Sequence, residues 1–183
     1  MPCEMLKRFN RMGAIIAIAG AGLLISSCYG PGIAQNGPTA AVARITPPQV
    51  LPITAIAQIA DQRIELEVAA KPRQQELGLM YRKFLPLNQG MLFPFQPARP
   101  VQFWMKNCFL TLDMIFLRQK TVVAIAVNAV PCTADPCPLY GPNEPVDQVI
   151  ELRGGRAAQL GVKVGSVIDV QPLHAAPSVT ESK

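Results

Sequence analysis

Residues 112–130, LDMIFLRQKTVVAIAVNAV, contain the pattern that decides the fold of this chain. Two apolar runs, Leu112–Leu117 and Val122–Val130, flank the dipeptide Gln119-Lys120. Apolar runs of this length joined by so short a connection predict a β-hairpin. The second run is apolar at both odd and even positions, which is typical of a strand buried on both faces. We therefore expect Val122–Val130 in the centre of a sheet.

Further short strand patterns, separated by turn residues, fill residues 61–171, which we interpret as one domain. In the first pattern Ile64, Leu66 and Val68 alternate with two glutamates, the period of a half-buried strand. The same criteria predict strands at residues 90–95, 101–107, 146–152 and 167–170. Many short strands between turns indicate a mainly β, compact domain of the sandwich or barrel-like kind.

Two short helices are expected to cap this domain. Pro72 suits a first helical turn and predicts a helix over about residues 73–81. The glycines of Gly154-Gly155 precede the second predicted helix, which ends near Gly161. Neither helix is long enough to change the fold class.

The N-terminal residues 1–28 have the features of an export signal with a lipidation site. Positive charge from Lys7, Arg8 and Arg11 precedes an apolar run of signal-peptide length. The segment Ile25-Ser26-Ser27-Cys28 resembles the lipobox of bacterial lipoproteins, in which the cysteine thiol receives a diacylglyceryl group. A soluble export signal cut near Ala34 and an uncleaved N-terminal anchor are the alternatives. All three place the domain outside the cytoplasm, and the first anchors it to the membrane through Cys28.

The segments that flank the domain, residues 29–60 and 172–183, have compositions unlike that of the domain itself. The first is rich in Pro and Ala and is interpreted as a flexible tether, although its residues 53–59 are apolar enough to add an edge strand to the domain. The second is interpreted as a disordered tail, and it contains His174, the only histidine. The net charge is +5, but part of it lies in the export signal, and no basic run or basic–aromatic stripe follows. Nucleic acid is therefore not an expected partner, and no cofactor is expected.

Several sequence blocks in the domain, taken together, resemble one family. The blocks are Gly78-Leu79-Met80-Tyr81-Arg82, Gly90-Met91-Leu92-Phe93, Phe103-Trp104-Met105-Lys106-Asn107, Leu112-Asp113-Met114-Ile115-Phe116, Pro131-Cys132 with Cys137-Pro138-Leu139-Tyr140, and Val149-Ile150-Glu151-Leu152 with Gly154-Gly155. Their order and spacing over about residues 62–170 resemble those of the family known as domain of unknown function 192. The resemblance implies a compact, mainly β, often exported domain with no established activity or cofactor.

The sequence departs from the family pattern at three places. Gln74-Gln75 stands where such proteins commonly have an acidic–arginine pair. Cys108 replaces a usual threonine, and Thr111 replaces a usual proline. These departures put in doubt any role for an ion pair on the first helix.

Trp104 and Lys106 are the first candidate site residues. They lie two positions apart on a predicted strand, so both side chains, with Cys108, project from one face. Phe103, Met105 and Asn107 take the other face, and Asn107 is included as a candidate ligand-binding residue. An indole beside an ammonium group could bind a polar or anionic ligand. The alternative is a core tryptophan, with Lys106 extending to solvent or pairing with Asp113 or Glu151.

Asp113 and Glu151 are the other candidate polar residues. A carboxylate among residues as apolar as those around Asp113 must be paired or must cap backbone amides. In a functional interpretation Asp113 and Glu151 form a general acid/base pair beside Lys106. In a structural interpretation they bind turn amides or Lys106. The sequence gives no distance between the two carboxyl groups.

Cys132 and Cys137 bracket a short proline-containing loop and predict a disulfide in an oxidising compartment. Metal binding, with Cys108 as a third ligand, and a redox-active thiol pair are the alternatives, although the spacing matches no zinc pattern. No metal site is therefore expected. Cys108 is left as an odd cysteine that we expect to be buried.

Two functional hypotheses follow from these residues. The first is a non-catalytic module of the cell envelope that binds a small ligand, a glycan or a protein. Its binding residues would be Trp104, Lys106, Asn107, Asp113 and Glu151. The second is a hydrolase- or lyase-type enzyme that uses Lys106, Asp113 and Glu151. Whether those three groups converge in one concavity distinguishes the hypotheses.

Overall fold

The computed structural model describes residues 47–173. Over this range the chain forms one seven-stranded sheet and two short helices, which confirms the mainly β class. The helices are α1 (Pro72–Leu77) and α2 (Arg156–Gln159). The strands are β1 (Ile53–Ile59), β2 (Gln62–Val68), β3 (Gln89–Arg99), β4 (Leu112–Arg118), β5 (Thr121–Ala129), β6 (Val146–Arg153) and β7 (Asp169–Pro172).

The sheet is mixed, with strand order β5-β4-β6-β3-β2-β1-β7. Only β2 and β3 pair in parallel, and every other neighbouring pair is antiparallel. No strand pair closes the sheet, although one bridge joins Thr121 at the start of β5 to Val167, just before β7. The architecture is consistent with the sandwich-like fold that the sequence predicts.

The central strands bury side chains on both faces of the sheet. On β6, Val149 belongs to one apolar cluster, while Ile150 and Leu152 belong to a second. On β4, Met114 and Phe116 lie in the first cluster, and Ile115 and Leu117 lie in the second. The domain therefore has two cores, one on each side of the sheet.

The strand β5 lies at the edge of the sheet, so its predicted central position is wrong. The β4–β5 hairpin itself is as predicted, and Gln119 and Lys120 have positive φ angles of 49° and 70°. Alanines alternate with larger residues along β5, and Val127 is exposed. Two register irregularities interrupt its pairing with β4. Such irregularities protect an apolar edge strand against pairing with other chains.

Two other elements differ from the sequence-based expectations. Helix α1 ends at Leu77 rather than near Tyr81, because the positive φ of 47° at Gly78 takes the backbone out of the right-handed helical conformation. Residues 101–107 form isolated bridges instead of a strand. Their neighbours are loops, which offer single contacts rather than a continuous ladder.

The sheet also extends beyond the predicted domain limits. Residues 53–59, at the end of the predicted tether, form β1, which lies between β2 and β7 rather than at the edge of the sheet. At the other end β7 includes Pro172, and the amide of Leu173 bonds to the carbonyl of Thr54. Cys28 and His174 lie outside the described residues. Within residues 47–173 no helix is long and apolar enough to cross a membrane.

Candidate functional site

The segment of residues 101–108 is held by a loop on each side. Phe103 exchanges two backbone hydrogen bonds with Tyr140, and the amide of Cys132 donates to the carbonyl of Met105 at 2.9 Å. Phe103, Met105 and Asn107 are buried, and Trp104 and Lys106 are half-buried. The predicted alternation of the two faces is therefore confirmed from 103 to 107, although the segment is not a strand.

The alternation stops at Cys108, which is buried rather than on the face of Trp104 and Lys106. Asn107 explains this change, since its φ of 72° turns the backbone out of an extended conformation. The backbone carbonyl of Asn107 accepts a hydrogen bond from Tyr81 at 3.0 Å. Its side-chain Oδ1 is buried and has no hydrogen-bond partner among residues 47–173.

Lys106 has a different partner from those predicted. Its ammonium group forms an ion pair with Asp135, and it lies 5.6 Å from the centroid of the Trp104 ring. The side chain of Lys106 is 24% exposed and that of Asp135 is 63% exposed. Lys106 therefore does not have the pairing with Asp113 or Glu151 that one alternative allowed. Asp135 was missed because it lies in a loop where the sequence pattern indicates no strand or helix.

The loop that carries Asp135 is closed by the disulfide between Cys132 and Cys137, whose Cα atoms are 5.7 Å apart. The predicted pairing of these cysteines is confirmed. The loop is also fixed to residues 101–108 through the amide of Cys132. Within residues 47–173, no three or more His, Cys, Asp or Glu side chains are grouped so that they could hold a metal ion.

Asp113 has the structural position that its apolar neighbours indicated. It is completely buried, and its two carboxylate oxygens accept backbone hydrogen bonds from Asn128 and Ala157, each at 2.8 Å. Ala157 lies in the first turn of α2, so Asp113 joins the end of β5 to the start of that helix. Bonding to backbone amides is the usual way in which a buried carboxylate is satisfied.

Glu151 lies on the opposite face of the sheet from Asp113. In the pairing of β4 with β6, Asp113 is opposite Leu152 and Met114 is opposite Glu151. Because paired residues share a face and successive residues alternate, Asp113 and Glu151 project to different sides. The acid/base pair that the sequence suggested is therefore not assembled, and Lys106 pairs with neither carboxylate.

Glu151 belongs to a row of side chains that crosses four neighbouring strands on one face of the sheet. Met91 on β3 is opposite Glu67 on β2 and also opposite Glu151 on β6. On its other side, Glu151 is opposite Met114 on β4. Glu151 is thus flanked by two methionines and is 4% exposed. Burial raises the pKa of Glu151 from 4.5 to about 8, while the charge of Arg82 acts in the opposite direction.

Arg82 is bound to the other acid of this row. Its guanidinium donates to both carboxylate oxygens of Glu67, at 2.7 and 2.6 Å, and also to the carbonyl of Gln49. Glu67 in addition accepts the amide of Leu51 at 2.6 Å. The alternation in β2 suggested that Glu67 faces solvent, but this pair buries it. No local pattern indicates an ion pair between residues that lie 15 positions apart.

The fold and the buried Glu67–Arg82 pair define a small mixed-sheet domain with polar groups enclosed on one face. The chain belongs to the domain of unknown function 192 family (DUF192, described as "Uncharacterized ACR"), whose profile matches residues 55–170.

Two solved structures are similar to this chain. A "putative transcription regulator" from Sinorhizobium meliloti 1021 is 37% identical, with a TM-score of 0.58. The match covers 64% of this chain and 92% of the Sinorhizobium chain. A protein of unknown function from Novosphingobium aromaticivorans DSM 12444 is 31% identical, also with a TM-score of 0.58. This match covers 73% of this chain and 99% of the Novosphingobium chain. No curated protein matches the chain.

Proposed function

We propose that this chain is an exported, lipid-anchored protein of the cell envelope whose domain is a non-catalytic binding module. The observation that supports this proposal is the Trp104–Lys106–Asp135 surface, in which an indole, an ammonium group and a carboxylate lie together. Such a surface combines apolar area with a hydrogen-bond donor and an acceptor, the usual composition of a ligand site. Where the cell has two membranes, the domain would lie on the periplasmic side.

The Trp104–Lys106–Asp135 surface is well suited to binding because its parts are fixed before a ligand arrives. The disulfide and the bond from Cys132 hold the loop of Asp135 against residues 101–108. A preorganised surface loses little conformational entropy when it binds. Val130 and Leu139, near the ends of the same loop, are also exposed.

A polar ligand with an apolar face fits this surface best, and a glycan has that chemistry. One side of a sugar ring can pack on the indole, while its hydroxyls bond to Lys106 and Asp135. A small polar molecule or a protein segment with similar groups is the alternative. The transcription-regulator description of the Sinorhizobium protein is not transferred, because the sequence contains no basic run for a phosphate backbone.

The first test is the variant Lys106→Ala in the full chain. Trp104 is the only tryptophan, so its fluorescence reports directly on the proposed surface. We expect soluble peptidoglycan fragments to change this fluorescence in the wild type and to have no effect in Lys106→Ala. Because the ion pair with Asp135 is partly exposed, its loss should lower the free energy of unfolding by less than about 1 kcal/mol.

Lys120→Ala is the matched control, since Lys120 forms a surface ion pair with Asp169 at 2.6 Å outside the proposed surface. This variant is expected to respond to the fragments like the wild type. An unchanged response of Lys106→Ala, or its severe destabilisation, would argue against the exposed-site proposal.

The second test concerns the anchor. Cys28→Ala is expected to abolish labelling by a fatty-acid analogue and to release the protein from the membrane fraction, because the thiol is the proposed acceptor of the lipid. Cys3→Ala should leave both properties unchanged and serves as the control. Labelling that survives the Cys28 change would refute the lipoprotein assignment, and a wild type that is exported but never labelled would favour a soluble export signal.

A catalytic function has one observation in its favour. A buried carboxyl group with a pKa of about 8 is protonated near neutral pH and can act as a general acid. Because Asp113 lies on the other face of the sheet, such an enzyme would have to use Glu151 without that partner. In this second candidate function, Glu151 is the proton donor and lies near Arg82.

A further inference from the structure

A concave surface lies between α1 and the end of β3 and includes none of the candidate site groups considered above. This cleft has a volume of about 410 Å³ and includes Pro72 and Gln75 from α1 and Pro94, Gln96 and Arg99 from β3. Pockets that bind small organic molecules commonly have volumes of this size.

An outward bulge of β3 builds the cleft. Pro94 pairs with Gln148 of β6, and the next pair is Arg99 with Val146. Residues 95–98 of β3 are thus opposite a single residue of β6. Bulges of this kind redirect side chains and often lie beside binding sites. The bulge is fixed to α1, because the side-chain amide of Gln75 donates to the carbonyl of Pro94 at 2.8 Å.

Arg99 is the charged group of the cleft. Its guanidinium carbon lies 4.9 Å from the centroid of the Phe95 ring, which itself is buried in the core. Within residues 47–173, Arg99 forms no ion pair with a carboxylate and no side-chain hydrogen bond. The Phe95 ring therefore positions the guanidinium of Arg99, and the N–H groups of the guanidinium can still donate hydrogen bonds to a ligand.

From this arrangement we infer that the cleft binds the carboxylate end of a short peptide or of an acylated amino acid through Arg99. A planar guanidinium binds a carboxylate through two parallel hydrogen bonds. Gln96 is exposed and provides an amide group that can bond to the amides of a peptide, and Pro72 and Pro94 provide apolar walls. A phosphate group fits less well, because the cleft contains one cation and α1 has only six residues.

The test compares two forms of one probe, N-acetyl-alanyl-alanine and its C-terminal amide, by calorimetric titration of the full chain. The free acid is expected to bind at least about tenfold more tightly than the amide, since a hydrogen-bonded charge pair is lost in the amide. Arg99→Gln should remove this difference. Arg73→Gln is the matched control, because Arg73 lies beside Pro72 but pairs with Glu76 at 3.5 Å; this variant should keep the preference for the acid.

Three results would overturn the inference. They are no binding of the acid, equal binding of the acid and the amide, and a preference for the acid that persists in Arg99→Gln. Competition by inorganic phosphate at the same concentration as the acid would also overturn it, because the cleft would then be a general anion site. Melting curves of both variants establish that each is folded at the titration temperature. The outcome is independent of the Trp104–Lys106–Asp135 surface, which Arg99→Gln does not alter.

Discussion

Arg82→Ala is expected to lower the free energy of unfolding by about 3–5 kcal/mol, because it leaves the carboxylate of Glu67 buried without its partner. The side chains of Arg82 and Glu67 are only 11% and 5% exposed. Two side-chain hydrogen bonds to Glu67 and those to the carbonyl of Gln49 are lost together. Urea denaturation of the wild type and the variant measures the difference.

Arg63→Ala provides the matched control on the same strand as Glu67. Arg63 contacts Glu65 at 4.0 Å, and this pair is partly exposed, so its loss should change the stability by less than about 1 kcal/mol. The double variant Arg82→Met with Glu67→Gln should recover part of the lost stability, since no charge is then buried alone. If Arg82→Ala is no more destabilising than Arg63→Ala, the buried pair does not have the role assigned to it.

Glu151→Gln is expected to become progressively more stable than the wild type as the pH rises from about 4.5 to about 8. The physical reason is that burial raises the pKa of Glu151 in the folded protein to about 8. Below 4.5 the carboxyl group is protonated in both the folded and the unfolded state, so it adds no pH dependence. Between 4.5 and about 8 the unfolded state releases its proton and the folded state retains it, which favours unfolding. Above 8 the effect is constant.

Between pH 4.5 and about 8, the free energy of unfolding of the wild type should fall by an amount of the order of 5 kcal/mol, at about 1.4 kcal/mol per pH unit. Glutamine has nearly the same shape and cannot ionise, so it removes this penalty. Urea denaturation at several values between pH 4 and pH 9 measures the difference between the two proteins. Glu76→Gln, at an exposed position of α1, is the control, and its difference from the wild type should stay below about 1 kcal/mol throughout. Parallel stability curves for the wild type and Glu151→Gln would contradict the raised pKa.

Local patterns predicted the elements that depend on residues close together in the chain. The β4–β5 hairpin follows from two apolar runs around Gln119-Lys120, and the disulfide follows from two cysteines five positions apart. The alternation of buried and half-buried side chains from 103 to 107 follows from the geometry of an extended chain. That geometry holds even though the segment makes only isolated bridges.

The errors concern relations between distant parts of the chain. A run that is apolar on both of its faces is compatible with a central strand, but β5 lies at the edge. On the side away from β4, the start of this hairpin strand bonds, among the described residues, only to residues 165–168, through Lys120 and Val122, and not to a strand. The sequence did not indicate Asp135 as the partner of Lys106, because Asp135 approaches Lys106 only through the loop that the disulfide closes. The suggested acid/base pair was wrong because the register of β4 against β6 puts Asp113 and Glu151 on opposite faces.

The sequence by itself determined the fold class, the hairpin, the disulfide and the family, because each depends on local periodicity, on close spacing or on the order of short blocks. The tertiary structure alone decided which carboxylates are buried and what they bind. Glu67, Asp113 and Glu151 look alike in the sequence as acids within strands. One is paired with Arg82, one is bonded to two amides and one keeps its proton near neutral pH. The reason is that desolvation and pairing depend on neighbours brought together by strand register, which local sequence does not specify.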